Sequence, residues 1–328
     1  MSDQTTAVNV TYFGKIPSRG DFVKSGSSLQ LLTSLDNWLA RAMDSMSEDA
    51  RWKNLYDEVK PFHFAFLGSR SKLAIAGHFT ASSDAAQRRF PFVTAGAMEV
   101  SDSSTFTARS PLVLSRLWNR LSQLSASAAT SNDAVQDLNT ISATSVQVEL
   151  GSKAYEANFS DFLEFQSVGS LDSQLKSSGF TGTCRQLILG LGLLLQPVMA
   201  SGSNRLEKSL YLPLPRDSMY QYLTAAFWLA LINPFLQRAD FELSIFIAHF
   251  EQGPALVVGF SGASSLTLEA VLNPKTAQEH FIAFSDATWV EEAVAADYGV
   301  TKLSSYLDQS QLSLASAKRH FEEVFLGA

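Results

Sequence analysis

The runs FELSIFIAHF (Phe241–Phe250) and ALVVGF (Ala255–Phe260) constrain this 328-residue chain more than any other stretch. Both are rich in β-branched and aromatic residues. The short EQGP spacer between them, with its Gly and Pro, turns the second run back on the first as a hairpin. A second pair, FHFAFL (Phe62–Leu67) and LAIAGHF (Leu73–Phe79), is joined by the polar turn GSRSK. Further strands are expected at Val8–Phe13 and Phe92–Val100, with a short one in SVQVEL, and an apolar run, Leu210–Leu214, ends at Pro215. Between the strands, apolar residues recur at helical spacing. Leu31, Leu32, Leu35, Trp38 and Leu39 mark a helix from about Leu29 with Ser27 or Ser28 as its N-cap. Leu112, Leu114, Leu117, Leu121 and Leu124 mark another after Pro111, and Leu223, Phe227, Leu231 and Phe235 a third. Strands interleaved with helices predict an α/β fold whose sheet is covered on both faces and made mixed by its antiparallel hairpins.

Composition narrows the function classes. Hydrophobic residues make up 46% and charged residues 17%, the balance of a packed globular chain rather than a disordered one. The formal net charge of −7 argues against a nucleic-acid binder, which needs a basic face. MSDQTTAVNV has neither the basic nor the apolar region of a secretory signal. The most apolar stretch, LILGLGLLLQPVMA (Leu187–Ala200), is shorter than the ~20 residues that span a bilayer and is interrupted by Gln196 and Pro197. These features predict a cytoplasmic protein without membrane insertion. Cys184 is the single cysteine, which rules out an internal disulfide and a cysteine metal cluster; it reads as a buried apolar side chain near a helix start. The Ser-rich stretch 122–133 is expected to be a linker or mobile loop.

Few residues suggest catalysis. His63, His78, His249, His280 and His320 show no metal-ligand spacing, and no cofactor or metal is expected. His63 and His78 fall on strands expected to be neighbours, so a shared site is one reading. GLGLLL (Gly190–Leu195) lacks the third Gly of a dinucleotide fingerprint, and GASSL (Gly262–Leu266) lacks the second Gly of a nucleophile elbow and reads as an N-cap. SRSK (Ser69–Lys72) matches Ser-x-x-Lys but sits in a hairpin turn rather than at a helix start. A hydrolase built from Ser264, His63, His78 and Asp84 is the alternative reading.

Two stretches are denser in special residues. In YFGKIPSRGDFV, residues 12–23, Gly14 frees the backbone at a strand exit, Pro17 fixes φ, and Gly20 allows positive φ between Arg19 and Asp21. Its Arg-Gly-Asp is also an adhesion tripeptide, a role that requires secretion. A local Arg19–Asp21 ion pair at the surface is worth about 0–1 kcal/mol. In ASSDAAQRRFPF, residues 81–92, Asp84 and Arg88 are spaced to meet across one helical turn before Phe90-Pro91 ends it.

Together these stretches resemble the signature of the TagF (ImpM) family of type VI secretion-associated proteins. Gly14, Lys15, Pro17, Arg19, Gly20, Asp21 and Phe22 match its opening run, and Trp38 with Leu39 the Trp-Leu pair on the helix that follows. Ser82, Asp84, Arg88, Phe90 and Pro91 match its second mark, in which Ala81 replaces a Pro and Gln87 a Gly. A weaker echo of a Ser-Trp-Trp strand lies at Ser244–Ile247 with both Trp lost. The resemblance covers about 8–125 strongly and 205–275 faintly. It implies an α/β domain over 8–275 with a helical insertion at about 134–205, and a helical extension over 276–328. The family fold is a three-layer αβα sandwich. Function by resemblance is a non-enzymatic, cytoplasmic regulator acting after translation, usually to restrain assembly of the secretion apparatus. The implied partner is an FHA-domain scaffold protein or another secretion-complex component. The motif residues then serve as an ion-pair network or as direct contacts.

Overall fold

The computed structural model describes residues 5–25, 28–68, 71–151, 153–201, 206–236 and 241–327. The chain opens with β1 (Thr5–Asn9), β2 (Thr11–Gly14), β3 (Val23–Lys24), α1 (Leu29–Met46) and α2 (Trp52–Asp57). Next come β4 (Phe62–Gly68), β5 (Leu73–Thr80), β6 (Phe92–Glu99), α3 (Ser103–Thr130), α4 (Val135–Ala143) and β7 (Ser145–Glu149). The middle holds α5 (Lys153–Phe165), α6 (Val168–Ser177), α7 (Cys184–Ser201), β8 (Ser209–Pro213) and α8 (Ser218–Leu236). Then follow β9 (Glu242–Phe250), β10 (Gly253–Gly259), α9 (Ser265–Leu272), α10 (Pro274–His280) and β11 (Phe281–Ile282). The tail is α11 (Trp289–Ala296), α12 (Tyr298–Leu307) and α13 (Leu314–Leu326).

Nine strands pair in the order β11-β8-β10-β9-β4-β5-β6-β2-β3. All these pairings are antiparallel except β8 with β11, so the sheet is mixed. Side chains alternate between its two faces, as a pleated strand requires. Along β9, Leu243, Ile245 and Ile247 enter one core while Phe246 and Ala248 enter the other. The first core is roofed by α3 and α8 through Leu117, Leu121, Phe227 and Leu231; the second by α1 and α9 through Leu35, Leu39, Leu268 and Leu272. The result is helices, sheet, helices in three layers, with both expected hairpins, β4–β5 and β9–β10, in place.

Local departures from expectation have identifiable causes. Val8–Phe13 is two strands: β1 leaves the main sheet to pair with β7, the strand expected in SVQVEL. Val10 marks the break, where its N–H donates to the Thr144 carbonyl at 3.0 Å. Ser28 holds the N-cap position of α1 without a side-chain cap, and Ser27 lies outside the described residues. Helix α3 begins well before Pro111, because Asp102 caps it by accepting from the Thr105 N–H. Pro111 cannot donate to the Thr107 carbonyl, and the Ser110 hydroxyl does so instead at 3.0 Å. The same helix runs through most of the Ser-rich stretch to Thr130, so 122–133 is not a loop. Leu121, Leu124, Ser125 and Ala128 recur there on a buried stripe, and the small residues let it lie close to the sheet, with Ser125 Oγ 2.9 Å from Thr80 Oγ1.

The middle and tail helices meet over α8, which is apolar on all sides and therefore needs cover beyond the sheet. Phe235 of α8 meets Phe321 of α13 edge to face at 5.8 Å. The Leu314 N–H donates to the Gln166 carbonyl, and the Val168 N–H to that of Leu312. Cys184 is fully buried at the first residue of α7. With Phe321 itself fully buried, Phe321→Ala is expected to lower the unfolding free energy by about 3–5 kcal/mol in a urea titration. A loss below ~1 kcal/mol would mean that the tail is not part of this core.

Candidate functional site

The two motif stretches meet at the β2–β3 end of the sheet. Gly14 ends β2 at φ +134°, and a Cβ there would sit 1.9 Å from the Pro91 carbonyl oxygen. Only glycine lets β2 leave the sheet this close to the start of β6. Lys15 N–H then donates to Pro91 O at 3.3 Å, and Arg19 N–H closes a turn onto Ile16 O with Pro17 inside it. Gly20 does not take up positive φ; that conformation falls on Gly14 and, in the partner loop, on Gln87 at φ +61°. Gln87 stands where the resembled signature has glycine, and a left-handed residue there is what that glycine serves.

The partner loop is not a helical turn. A bridge between Ser83 and Arg89 closes it like a hairpin, and the left-handed Gln87 forbids helix continuation. Asp84 organises the interior. Its Oδ1 accepts the N–H groups of Ala86 and Arg88 at 3.0 and 2.9 Å. Its Oδ2 takes Arg88 Nε at 2.7 Å and Lys15 Nζ at 3.0 Å. Asp84 is fully buried and Lys15 nearly so. Burial pushes the Asp84 carboxyl up, but the Arg88 N–H and the Lys15 and Arg88 side chains outweigh it and hold the group well below the usual carboxylate range.

The loops are also joined by backbone. Ala85 N–H donates to Arg19 O at 2.8 Å, and Arg88 Nη2 to Gly20 O at 2.6 Å. Tyr56, at the end of α2, accepts the Ser82 N–H and donates to the Ser82 carbonyl. Arg89 pairs with Asp57. Three rings complete the patch: Phe22 stacks on Phe13 at 5.6 Å and meets Phe90 edge-on at 4.9 Å, with Lys15 Nζ 5.0 Å from the Phe22 centroid. Phe22 is nonetheless 44% exposed.

Arg19 and Asp21 do not join the Asp84 cluster through their side chains. Arg19 reaches Asp133 at 3.4 Å on the surface, and Asp21 accepts the N–H of Phe22. Lys15 is the cation that completes the cluster; its signal in the sequence was a charge inside an apolar strand exit. Trp38 lies elsewhere, buried against Phe64, Phe66 and Phe246, with its indole N–H on the Ser264 carbonyl.

The other polar candidates sit apart. His63 and His78 are directly opposed on β4 and β5, with their Nδ1 atoms 3.1 Å apart and His63 stacked on Trp118. For one Nδ1 to donate to the other, the accepting ring must be neutral with its proton on Nε2, and the donor must carry a proton on Nδ1. Burial lowers both, with His78 and His249 adding to the effect on His63, and takes His78 to about 4. Ser264 caps α9 by accepting the Thr267 N–H, and Ser69 of the Ser-x-x-Lys match lies outside the described residues. Another Ser–His contact, Ser209 Oγ to His280 Nε2 at 3.1 Å, is buried and shared with Thr267. Among the described residues no group of three or more His, Cys, Asp and Glu is placed to hold a metal. No helix among them is long and apolar enough to cross a membrane. At the opposite end of the sheet a cavity of ≈ 830 Å³ opens beside β8, β9 and β11.

Three variants test the motif loops in one denaturation series. Gln87→Gly relieves the left-handed backbone and is expected to gain about 0.5 kcal/mol, the relief being partly offset by a freer unfolded chain. Arg19→Ala loses an exposed pair and changes stability by less than ~1 kcal/mol. Lys15→Met leaves the buried Asp84 carboxylate with one cation fewer and shows the largest loss of the three; a loss no greater than that of Arg19→Ala would contradict the network. The histidine pair gives a pH test. The folded pKa of His78 lies below the unfolded value, so its stabilisation is complete above about 6.5 and is lost as pH falls toward 4, by about 3 kcal/mol. NMR titration is expected to show His78 neutral down to about pH 5.

Residues 11–143 match the family model of the TagF N-terminal domain, described as type VI secretion system-associated. No curated protein matches the chain. Among solved structures, PA0076 from Pseudomonas aeruginosa PAO1 is similar at 23% identity and a TM-score of 0.34. The match covers 42% of this chain and 62% of that one, under two thirds of its length. Both motif stretches, with every residue of the Asp84 cluster, fall inside the matched segment, so residues 11–143 carry a TagF N-terminal domain, a type VI secretion system-associated domain.

Proposed function

We propose that the protein is a non-enzymatic, cytoplasmic regulator that restrains assembly of the type VI secretion apparatus by binding an FHA-domain scaffold protein. The observation that carries this reading is the construction of the matched segment's surface. Three of Asp84's four acceptor contacts shape its own loop and the fourth, to Lys15, ties that loop to the other motif stretch, which is a scaffolding role. What the loops present outward is a partly exposed Phe22 ring, held in one orientation by Phe13, Phe90 and Lys15 and flanked by the exposed Arg88 and Asp21. A preorganised aromatic residue with charged neighbours is the usual anchor of a protein interface. Within this reading Arg-Gly-Asp is a segment of that surface and not an adhesion signal.

Phe22→Ala is expected to weaken capture of the FHA-domain protein at least tenfold in a pulldown while the folded state persists, and to raise the number of assembled secretion tubes in cells. Unchanged capture by Phe22→Ala and by a second surface variant, Arg88→Ala, would overturn the reading.

A further inference from the structure

The cavity at the β8–β11 end has an aromatic wall of unusual composition. Tyr211, Phe250 and Phe281, each half-buried, contact one another pairwise with centroids 5.2, 6.0 and 6.1 Å apart. Their planes are inclined at 65°, 31° and 88°, so they do not form one parallel stack and their faces point in different directions along the lining. Two exposed carboxylates, Glu58 and Glu251, also line the cavity, against a single lysine, Lys60. Burial and the nearby Lys60 lower His249, which disfavours its charged form. The lining is therefore net acidic.

Elsewhere this protein covers aromatic faces with its own cations: Lys15 lies over Phe22, Arg109 over Phe159 and Lys302 over Tyr306. Among the described residues, no lysine or arginine of the chain lies over Tyr211, Phe250 or Phe281. Faces of neutral rings attract cations through their quadrupole, more so when partly desolvated, and nearby carboxylates add to the attraction. A volume of ≈ 830 Å³ lies within the usual range for a small-molecule site.

We propose that this cavity is a binding site for a small organic cation, an ammonium head group carried on an apolar body. The head group sits against Tyr211, Phe250 and Phe281, and Glu58 and Glu251 supply the counter-charge. The site is separate from the Phe22 surface, at the other end of the sheet, and does not depend on what that surface binds.

The test compares benzyltrimethylammonium with its uncharged isostere neopentylbenzene, using NMR titration of the full chain. Benzyltrimethylammonium is expected to shift resonances of Tyr211, Phe250 and Phe281 and to bind about fivefold or more tightly than the isostere. Glu251→Gln, a surface change, is expected to weaken the cation several-fold and leave the isostere unaffected, and Phe281→Ala to weaken both. Equal affinity for the two probes, shifts confined to other residues, or no binding of the cation into the millimolar range would each overturn the assignment. So would an unchanged cation affinity in both variants.

Discussion

Pairing of β4 with β9, from His63 opposite Ile247 to Gly68 opposite Glu242, is the seam on which the molecule depends. Strands β2 to β6 lie within the segment that matches the TagF N-terminal domain, and β8 to β11 lie beyond it. Without this ladder the first group would present β4, with its buried Phe62, Phe64 and Ala65, as an apolar edge. Helix contacts reinforce the seam: Trp38 on α1 donates to the Ser264 carbonyl at the start of α9, and Ser45 donates to Glu269. Parts distant in sequence therefore share both hydrophobic cores.

At the far edge the organising group is a single carboxylate. A buried charge is tolerated only when its acceptor sites are filled, and Asp84 fills them with two backbone N–H groups and two cations drawn from both motif stretches. This explains a sequence pattern that otherwise looks like scattered charges. Lys15 and Asp84 are inward and structural, while Arg19 and Asp21, which draw the eye as part of Arg-Gly-Asp, are outward. Gly14 and Gln87 provide the two left-handed backbone positions that let the loops approach.

Much of the secondary structure was legible from local pattern. The two hairpins, the α1 helix and the short β7 strand follow from period-two and period-3.6 apolar spacing, which depends on neighbours in sequence. Failures came where tertiary contact overrode a local signal. Pro111 and the serines after Leu121 read as a helix start and a loop, yet α3 runs through both. There a hydroxyl replaces the missing N–H, and small residues suit a close helix–sheet contact. The i, i+4 spacing of Asp84 and Arg88 suggested a helical turn; the two side chains do meet, but across a hairpin-like turn.

The sequence by itself determined the layered α/β character, the buried Cys184 and α7, and the motif residues of the segment that matches the TagF N-terminal domain, because each rests on residue type and spacing within a short window. Tertiary structure decided which charges are paired inside and which face solvent, the stacking of His63 on Trp118, and the aromatic wall formed by Tyr211, Phe250 and Phe281. Those arrangements depend on which strands become neighbours. That choice is made by the burial of whole sheet faces between helix layers, and no short window of sequence contains it.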